Sequence, residues 1–223
     1  MGAILPMSLR ALAFCLLLGV GLAACSSDLE ERSPAVAVAD QLRGAGSGQD
    51  FVPRFAARLR AEAPILQVGF VKWNQVGNMV LERRHGDYEY WISSDGLHIA
   101  LQSGMLHSTR GLGEGLLASE LSEPRALILE RRSGQADRFH TYLDGNDRAV
   151  TRTYRCVIEN DGPQEIELAS GPVPTTLMTE RCRNLDQAFV NFYWVSDETG
   201  HIVQARQWAG PRIENISTRI VPN

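Results

Sequence analysis

Lysine is nearly absent from this chain: Lys72 is the only one among 22 basic residues, which face 26 acidic ones for a formal net charge of −4. No basic cluster exceeds the pairs Arg83-Arg84 and Arg131-Arg132. A nucleic-acid binder needs a concentrated basic field that displaces counterions from phosphates. Nucleic acid is therefore excluded as an expected partner, and the two pairs read as solvated strand positions. Arginine-rich faces have another use, because the planar guanidinium matches carboxylate geometry and can hold carboxylated sugars.

Signatures of catalysis are also missing. The five histidines, His85, His98, His107, His140 and His201, are scattered, with no His-x-x-x-His pair and no carboxylate at ligand spacing. Neither G-x-S-x-G nor S-x-x-K occurs. The glycines of Thr109-Arg110-Gly111-Leu112-Gly113-Glu114-Gly115 follow a G-x-G-x-G spacing with no βαβ unit around them, which suits a chain crossing before a short Leu116-Leu117 turn or helix better than a phosphate cradle. No metal, cofactor or catalytic residue is expected. Two carboxylates for glycoside cleavage could come from separate strands, among them Asp87, Glu89, Asp95 and Glu180, and nothing in the sequence selects a pair.

A run long enough to cross a bilayer, about 20 apolar residues, is missing as well. The one charge-free apolar run, residues 11–24, follows Arg10 and ends at Leu22-Ala23-Ala24-Cys25, the order of a secretory signal closing on a lipobox. Against the alternative of a plain signal with an incidental cysteine, the small residues directly before Cys25 favour lipidation. Residues 1–24 are expected to be a signal peptide and Cys25 the acylated first residue of the mature chain. Several acyl chains such as palmitate supply the two or more hydrophobic signals that stable anchoring needs. Ser26, a non-aspartate, resembles the sorting pattern for the outer membrane, so the expected location is a lipid anchor in that membrane, facing the periplasm.

Cysteine is scarce, and the scarcity is informative. Of four, Cys15 leaves with the signal and Cys25 carries lipid, which leaves Cys156 and Cys182 in an oxidising compartment, where a pair reads as a disulfide. Such a bridge stabilises by about 3 to 4 kcal/mol in the chain-entropy model. A metal pair is the alternative, but no further cysteine or histidine lies at ligand spacing.

Residues 25–49, with Ser33-Pro34 and Gly44-Ala45-Gly46-Ser47-Gly48, have the composition of a flexible linker. Residues 50–223 form one expected domain. Asp50 is placed to cap a helix in which Phe51, Phe55 and Leu59 share a face, ending before Pro64 and predicted to be the only sizeable one. Beyond it the period becomes two. Tyr88, Tyr90 and Ile92, then Leu97, Ile99 and Leu101, flank Asp95-Gly96, which predicts a hairpin with a type I′ turn. Further strands are predicted at 127–130, 139–143, 150–158, 176–182, 189–195, 202–208 and 213–221, with turns at Asp144-Gly145-Asn146, Asp161-Gly162-Pro163 and Glu198-Thr199-Gly200. About ten short strands predict a mainly β fold, an antiparallel meander barrel or bent sandwich with one N-terminal helix.

Six residues are candidates for binding a glycan or a protein partner. Arg152 shares a predicted strand face with Tyr154, Cys156 and Ile158, where a charge needs a partner or water, unless that face points outward. Trp91, Tyr193, Trp194 and Trp208 could stack on sugar rings, or pack in the core. Arg110 belongs to the glycine-rich segment.

A family resemblance emerges from Trp91-Ile92-Ser93-Ser94-Asp95-Gly96, Thr109-Arg110-Gly111-Leu112-Gly113, Glu180-Arg181-Cys182, Asn191-Phe192-Tyr193-Trp194-Val195, Gly200-His201-Ile202-Val203 and Gln207-Trp208-Ala209-Gly210-Pro211. In this order, over about residues 68–222, they resemble the YjbF/GfcB lipoproteins of group 4 capsule and exopolysaccharide loci. Ser103-Gly104-Met105-Leu106-His107 departs from the pattern, which would carry a Gly-Arg pair after the hairpin. The resemblance implies an outer-membrane-anchored, periplasm-facing β protein that assists polysaccharide secretion or assembly beside an outer-membrane exporter, without established catalytic residues. The alternatives are a glycan-processing enzyme and a periplasmic carrier of acyl chains, the latter requiring an open apolar interior.

Overall fold

Period-two alternation builds a single twelve-stranded antiparallel sheet in a computed structural model that describes residues 52–222 except 144, 145 and 147. The signal segment, Cys25, the linker, Asp50 and Phe51 lie outside the described residues. The strands are β1 (Ile65–Phe70), β2 (Gln75–His85), β3 (Tyr88–Ser93), β4 (His98–Gln102), β5 (Met105–Arg110), β6 (Leu116–Glu120), β7 (Gly134–Leu143), β8 (Ala149–Leu168), β9 (Gly171–Arg183), β10 (Ala188–Ser196), β11 (Ile202–Trp208) and β12 (Asn215–Val221). Their order, β5-β4-β3-β2-β1-β12-β11-β10-β9-β8-β7-β6, is a meander in which β1 pairs with β2 on one side and with the last strand, β12, on the other.

The two ends of the sheet, β5 and β6, approach each other and nearly close a barrel. Thr109 Oγ1 accepts the Leu116 N–H at 3.0 Å, and His107 Nδ1 lies 3.0 Å from the Ser119 carbonyl. From β11, Gln207 accepts the Leu106 N–H at 2.7 Å and donates to the Gly104 carbonyl at 3.1 Å. A side chain thus satisfies edge groups of β5 that would otherwise be open to pairing. The interior is packed: one cluster includes Leu66, Met79, Trp91, Ile99, Leu116 and Ile216, and a second Met105, Ile128, Ile158, Met178, Tyr193 and Val195.

The helix expected at the N-terminal end is α1 (Pro53–Arg60). It lays Phe55 on Val80 and Ile92, on the outer face of the barrel. A second helix, α2 (Ser122–Leu129), replaces the strand predicted at 127–130, and 116–117 belong to β6 rather than to a turn or helix. A short apolar run does not reveal its period. Here Leu121 and Ile128, a helical repeat apart, are both buried, and Pro124 occupies the first turn, where its missing N–H is tolerated.

Three turn expectations have distinct outcomes. The Asp95-Gly96 hairpin exists, but only Gly96 has positive φ (85°), and the Ser93 N–H to Leu97 carbonyl bond (3.0 Å) closes a three-residue loop. The two-residue turn with both φ positive is Ser103-Gly104 (51° and 85°), between the paired Gln102 and Met105. Only glycine fits there, since a Cβ on Gly104 would lie 2.7 Å from that of Ile202. Asp161-Gly162-Pro163 is a bulge inside β8, not a turn: the register slips between Asn160 and Gly162, which has φ 93°. One extra residue exchanges the faces of a strand. Cys156 and Ile158 therefore point inward, whereas Ile166 and Leu168 pack outside with Val203 and Trp194. Asp144 and Gly145 of the third predicted turn lie outside the described residues.

Candidate functional site

Inside the barrel, alternation along β7 turns Ala136, Arg138, His140 and Tyr142 inward, so a charge and an imidazole enter the core. Arg138, His140, Glu180, Asn191 and Tyr193 are all fully buried. Glu180 Oε2 accepts from Arg138 Nη1 at 2.8 Å, Asn191 Nδ2 at 2.7 Å and the Tyr193 hydroxyl at 2.8 Å. Arg138 Nε donates to His140 Nε2 at 2.7 Å, which leaves the proton of a neutral imidazole on Nδ1, 2.9 Å from the Tyr142 hydroxyl. His140, Phe189 and Trp208 stack at successive centroid spacings of 5.6 Å.

Burial and the Arg138 charge hold the His140 pKa well below its usual value. Burial alone would lower the Arg138 pKa, but Glu180 and Tyr193 outweigh it and raise it. Burial, then Glu180, pushes the Tyr193 hydroxyl well up. The disulfide Cys156–Cys182 joins directly opposed residues of β8 and β9. Its sulfurs lie within 4.8 Å of a Glu180 carboxylate oxygen, but as a disulfide they offer no thiolate to a metal. This cluster is buried, and its chemistry is that of an ion pair held by hydrogen bonds, with Arg138 Nη2 and Glu180 Oε1 left without a hydrogen-bond partner among the described residues.

Outside the barrel lies a groove with the opposite character. Its floor draws on two cross-strand rows: Arg83, Tyr90, Ala100 and Ser108 in one, and His98 and Arg110 in the other, whose Val80 and Ile92 are covered by Phe55 of α1. A bulge between Leu81 and Arg83 brings Arg83 opposite Tyr90, and its guanidinium lies 4.3 Å from the ring centroid. Phe55 anchors α1 beside these rows, and the helix adds Arg54 and Arg58, while Leu117 of β6 forms the far wall. The small side chains of Ala100 and Ser108 leave a trough of about 540 Å³. Its one acidic residue, Glu82, pairs with Arg54 at 3.2 Å and faces His98 at 3.7 Å.

The six candidates from sequence do not form one surface. Trp91 and Tyr193 are buried, and Trp208 is partly buried against Phe189. Trp194 lies on the outer face, its indole N–H donating to Gln164 at 3.0 Å. Arg152 has the parity of Tyr154 and Cys156 but falls beyond the buried stretch of β8, exposed, 5.6 Å from the Tyr142 ring centroid. Arg110 alone lines the groove. Sequence reading missed Tyr90, which follows the same alternation as the predicted Trp91 but on the other face. The four carboxylates considered for glycoside cleavage each have a partner: Asp87 has Arg125, Glu89 has Arg84, Asp95 has the Ser93 hydroxyl, and Glu180 has Arg138; Asp87 and Glu89 line one cavity beside Arg84.

A nearly closed antiparallel barrel with a buried ion pair inside and an open basic trough outside defines the fold as a β-barrel. The chain belongs to the YjbF family, described as group 4 capsule polysaccharide lipoprotein gfcB, YjbF, whose match spans residues 61–221. Its fold is similar to that of the hypothetical lipoprotein YmcC from Escherichia coli K12, with a TM-score of 0.65 at 17% identity, over 89% of this chain and 98% of that one. No curated protein matches the chain in sequence. Among the described residues, no helix is long and apolar enough to cross a membrane.

Proposed function

We propose that this protein is an outer-membrane lipoprotein, anchored through Cys25 and facing the periplasm, that serves as a non-enzymatic accessory in exopolysaccharide or capsule secretion and assembly. The observation that carries the reading is membership of a family described by its capsule polysaccharide lipoproteins. The lipobox, the small residues before Cys25 and Ser26 after it support the anchor and its destination. The linker of residues 25–49 gives the barrel reach from the membrane, toward the polysaccharide and an outer-membrane export protein.

The test is deletion of the gene, followed by measurement of secreted polysaccharide amount and chain length. A fall in either is expected, and unchanged secretion overturns the reading. Cys25→Ser is expected to release an intact soluble domain from the membrane fraction; a variant still membrane-bound contradicts the anchor.

A further inference from the structure

We propose that the arginine-lined groove between α1 and β6 binds a carboxylated saccharide chain, with Arg58, Arg83 and Arg110 as the carboxylate-binding groups. The argument starts from charge. In a protein whose net charge is −4, this trough gathers four arginines and one histidine around a single carboxylate, Glu82, which is occupied by Arg54. Among the described residues no carboxylate lies within ion-pair distance of Arg58, Arg83 or Arg110, whereas Arg84, Arg125, Arg132, Arg155 and Arg181 each have one. Unpaired guanidiniums facing one trough are anion sites, and their planar fork fits a carboxylate with two parallel hydrogen bonds.

Geometry narrows the class further. The Tyr90 ring holds Arg83 from below, so this guanidinium is placed before a ligand arrives. The Ser108 hydroxyl and the His98 imidazole offer further hydrogen-bonding groups of the kind that sugar hydroxyls use. The trough has the volume of a small-ligand site and is open to solvent, which suits a short stretch of a longer chain. It lacks the exposed aromatic platform that single-stranded nucleic acid needs, since Arg83 covers Tyr90. The arginines line a concavity, which a chain enters more readily than a flat membrane surface does.

The inference rests on the functional reading only for the origin of the saccharide. Its test uses the full-length protein in detergent at low ionic strength, titrated calorimetrically with a galacturonate hexamer and, separately, with neutral maltohexaose. Saturable binding of the galacturonate hexamer is expected, weakened about fivefold by Arg110→Gln, the size of one exposed charge pair, and lost in the triple variant R58Q/R83Q/R110Q. Added salt is expected to weaken it. Should the triple variant fold poorly, Arg110→Gln and the salt series decide alone. Absent binding, equal affinity for maltohexaose, unchanged affinity in Arg110→Gln, or equal competition by glycerol phosphate, which would point to a lipid headgroup, overturns the proposal. If hexamer binding holds while gene deletion leaves secretion unaltered, the functional reading falls and the saccharide site stands; the reverse pair of results removes the site and keeps the reading.

Discussion

Arginine appears in this molecule in two opposed settings. Inside the barrel, Arg138 is fully buried and its counter-charge is built in: Glu180, Tyr193 and His140 bond its Nε and Nη1, while Nη2 has no partner among the described residues. Outside, Arg58, Arg83 and Arg110 line a trough with no carboxylate of their own. A buried guanidinium without a counter-charge is prohibitively expensive, so the core supplies one at the cost of desolvating both. An exposed guanidinium incurs no such penalty and remains available. The same side chain is thus structural in one place and a recognition group in the other, and burial decides which.

The comparison breaks most visibly if the inner pair proves dispensable. Arg138→Met leaves Glu180 buried without its counter-charge and is expected to destabilise the fold by about 3 to 5 kcal/mol in a urea titration. Arg138→Met with Glu180→Met removes both charges and should recover most of that loss. A single variant as stable as the parent would mean that water already reaches Glu180. Next in size is the disulfide beside this pair: replacing Cys156 and Cys182 with alanine, whose separation is 26 residues, should cost about 3 to 4 kcal/mol, read by the same titration. If the bridge mattered only locally, the loss would fall well below 1 kcal/mol.

His140 sharpens the contrast through pH. Its folded-state pKa is depressed, first by burial and then by Arg138, with Tyr142 and Tyr154 as its other polar neighbours. Below the ordinary histidine value of about 6.5 the unfolded chain takes up a proton that the folded chain refuses. Its contribution is therefore present above that pH and lost as pH falls, by up to about 1.4 kcal/mol per pH unit. Melting temperature should drop between about pH 6.5 and 5, and His140→Gln should flatten the slope. Glu120, whose pKa is lowered chiefly by hydrogen bonding to Ser122, acts only below its ordinary value of 4.5, outside this window. A slope that survives the substitution would assign the proton to another group.

Legibility from sequence divides along the same line. The β class, the Asp95-Gly96 hairpin, the cysteine pairing and the helix around Phe55 follow from local patterns whose physics is local. The inner cluster was invisible because β7 inverts the usual rule: Arg138 and His140 point inward while Phe139 is only half buried, so hydrophobic alternation selects the wrong face. Charges at inward positions make sense only once β9 and β10 bring Glu180, Asn191 and Tyr193 opposite them, a long-range fact. The groove was hidden by the bulges, since the slip before Arg83 is what places it opposite Tyr90. The bulge before Gly162 likewise converted a predicted turn into a strand whose faces exchange. Aromatic identity misled for a related reason: Trp91 and Tyr90 alternate, and the larger ring went to the core.

The smallest expected effect is the most diagnostic of the difference between the two settings. Arg83→Gln and Arg110→Gln remove charges that no carboxylate of the protein meets, so their stability change should stay within about 0.5 kcal/mol. Arg83→Gln also loses its contact with the Tyr90 ring, worth about 0.5 to 1 kcal/mol at an exposed site. Relief of repulsion from the neighbouring arginines opposes that loss, which places Arg83→Gln nearer the unfavourable end of the range and Arg110→Gln nearer zero. Both are measurable by urea titration against the parent. A loss above 2 kcal/mol at Arg110 would show that the outer arginines also hold the fold together, and the distinction between inner and outer charge would collapse.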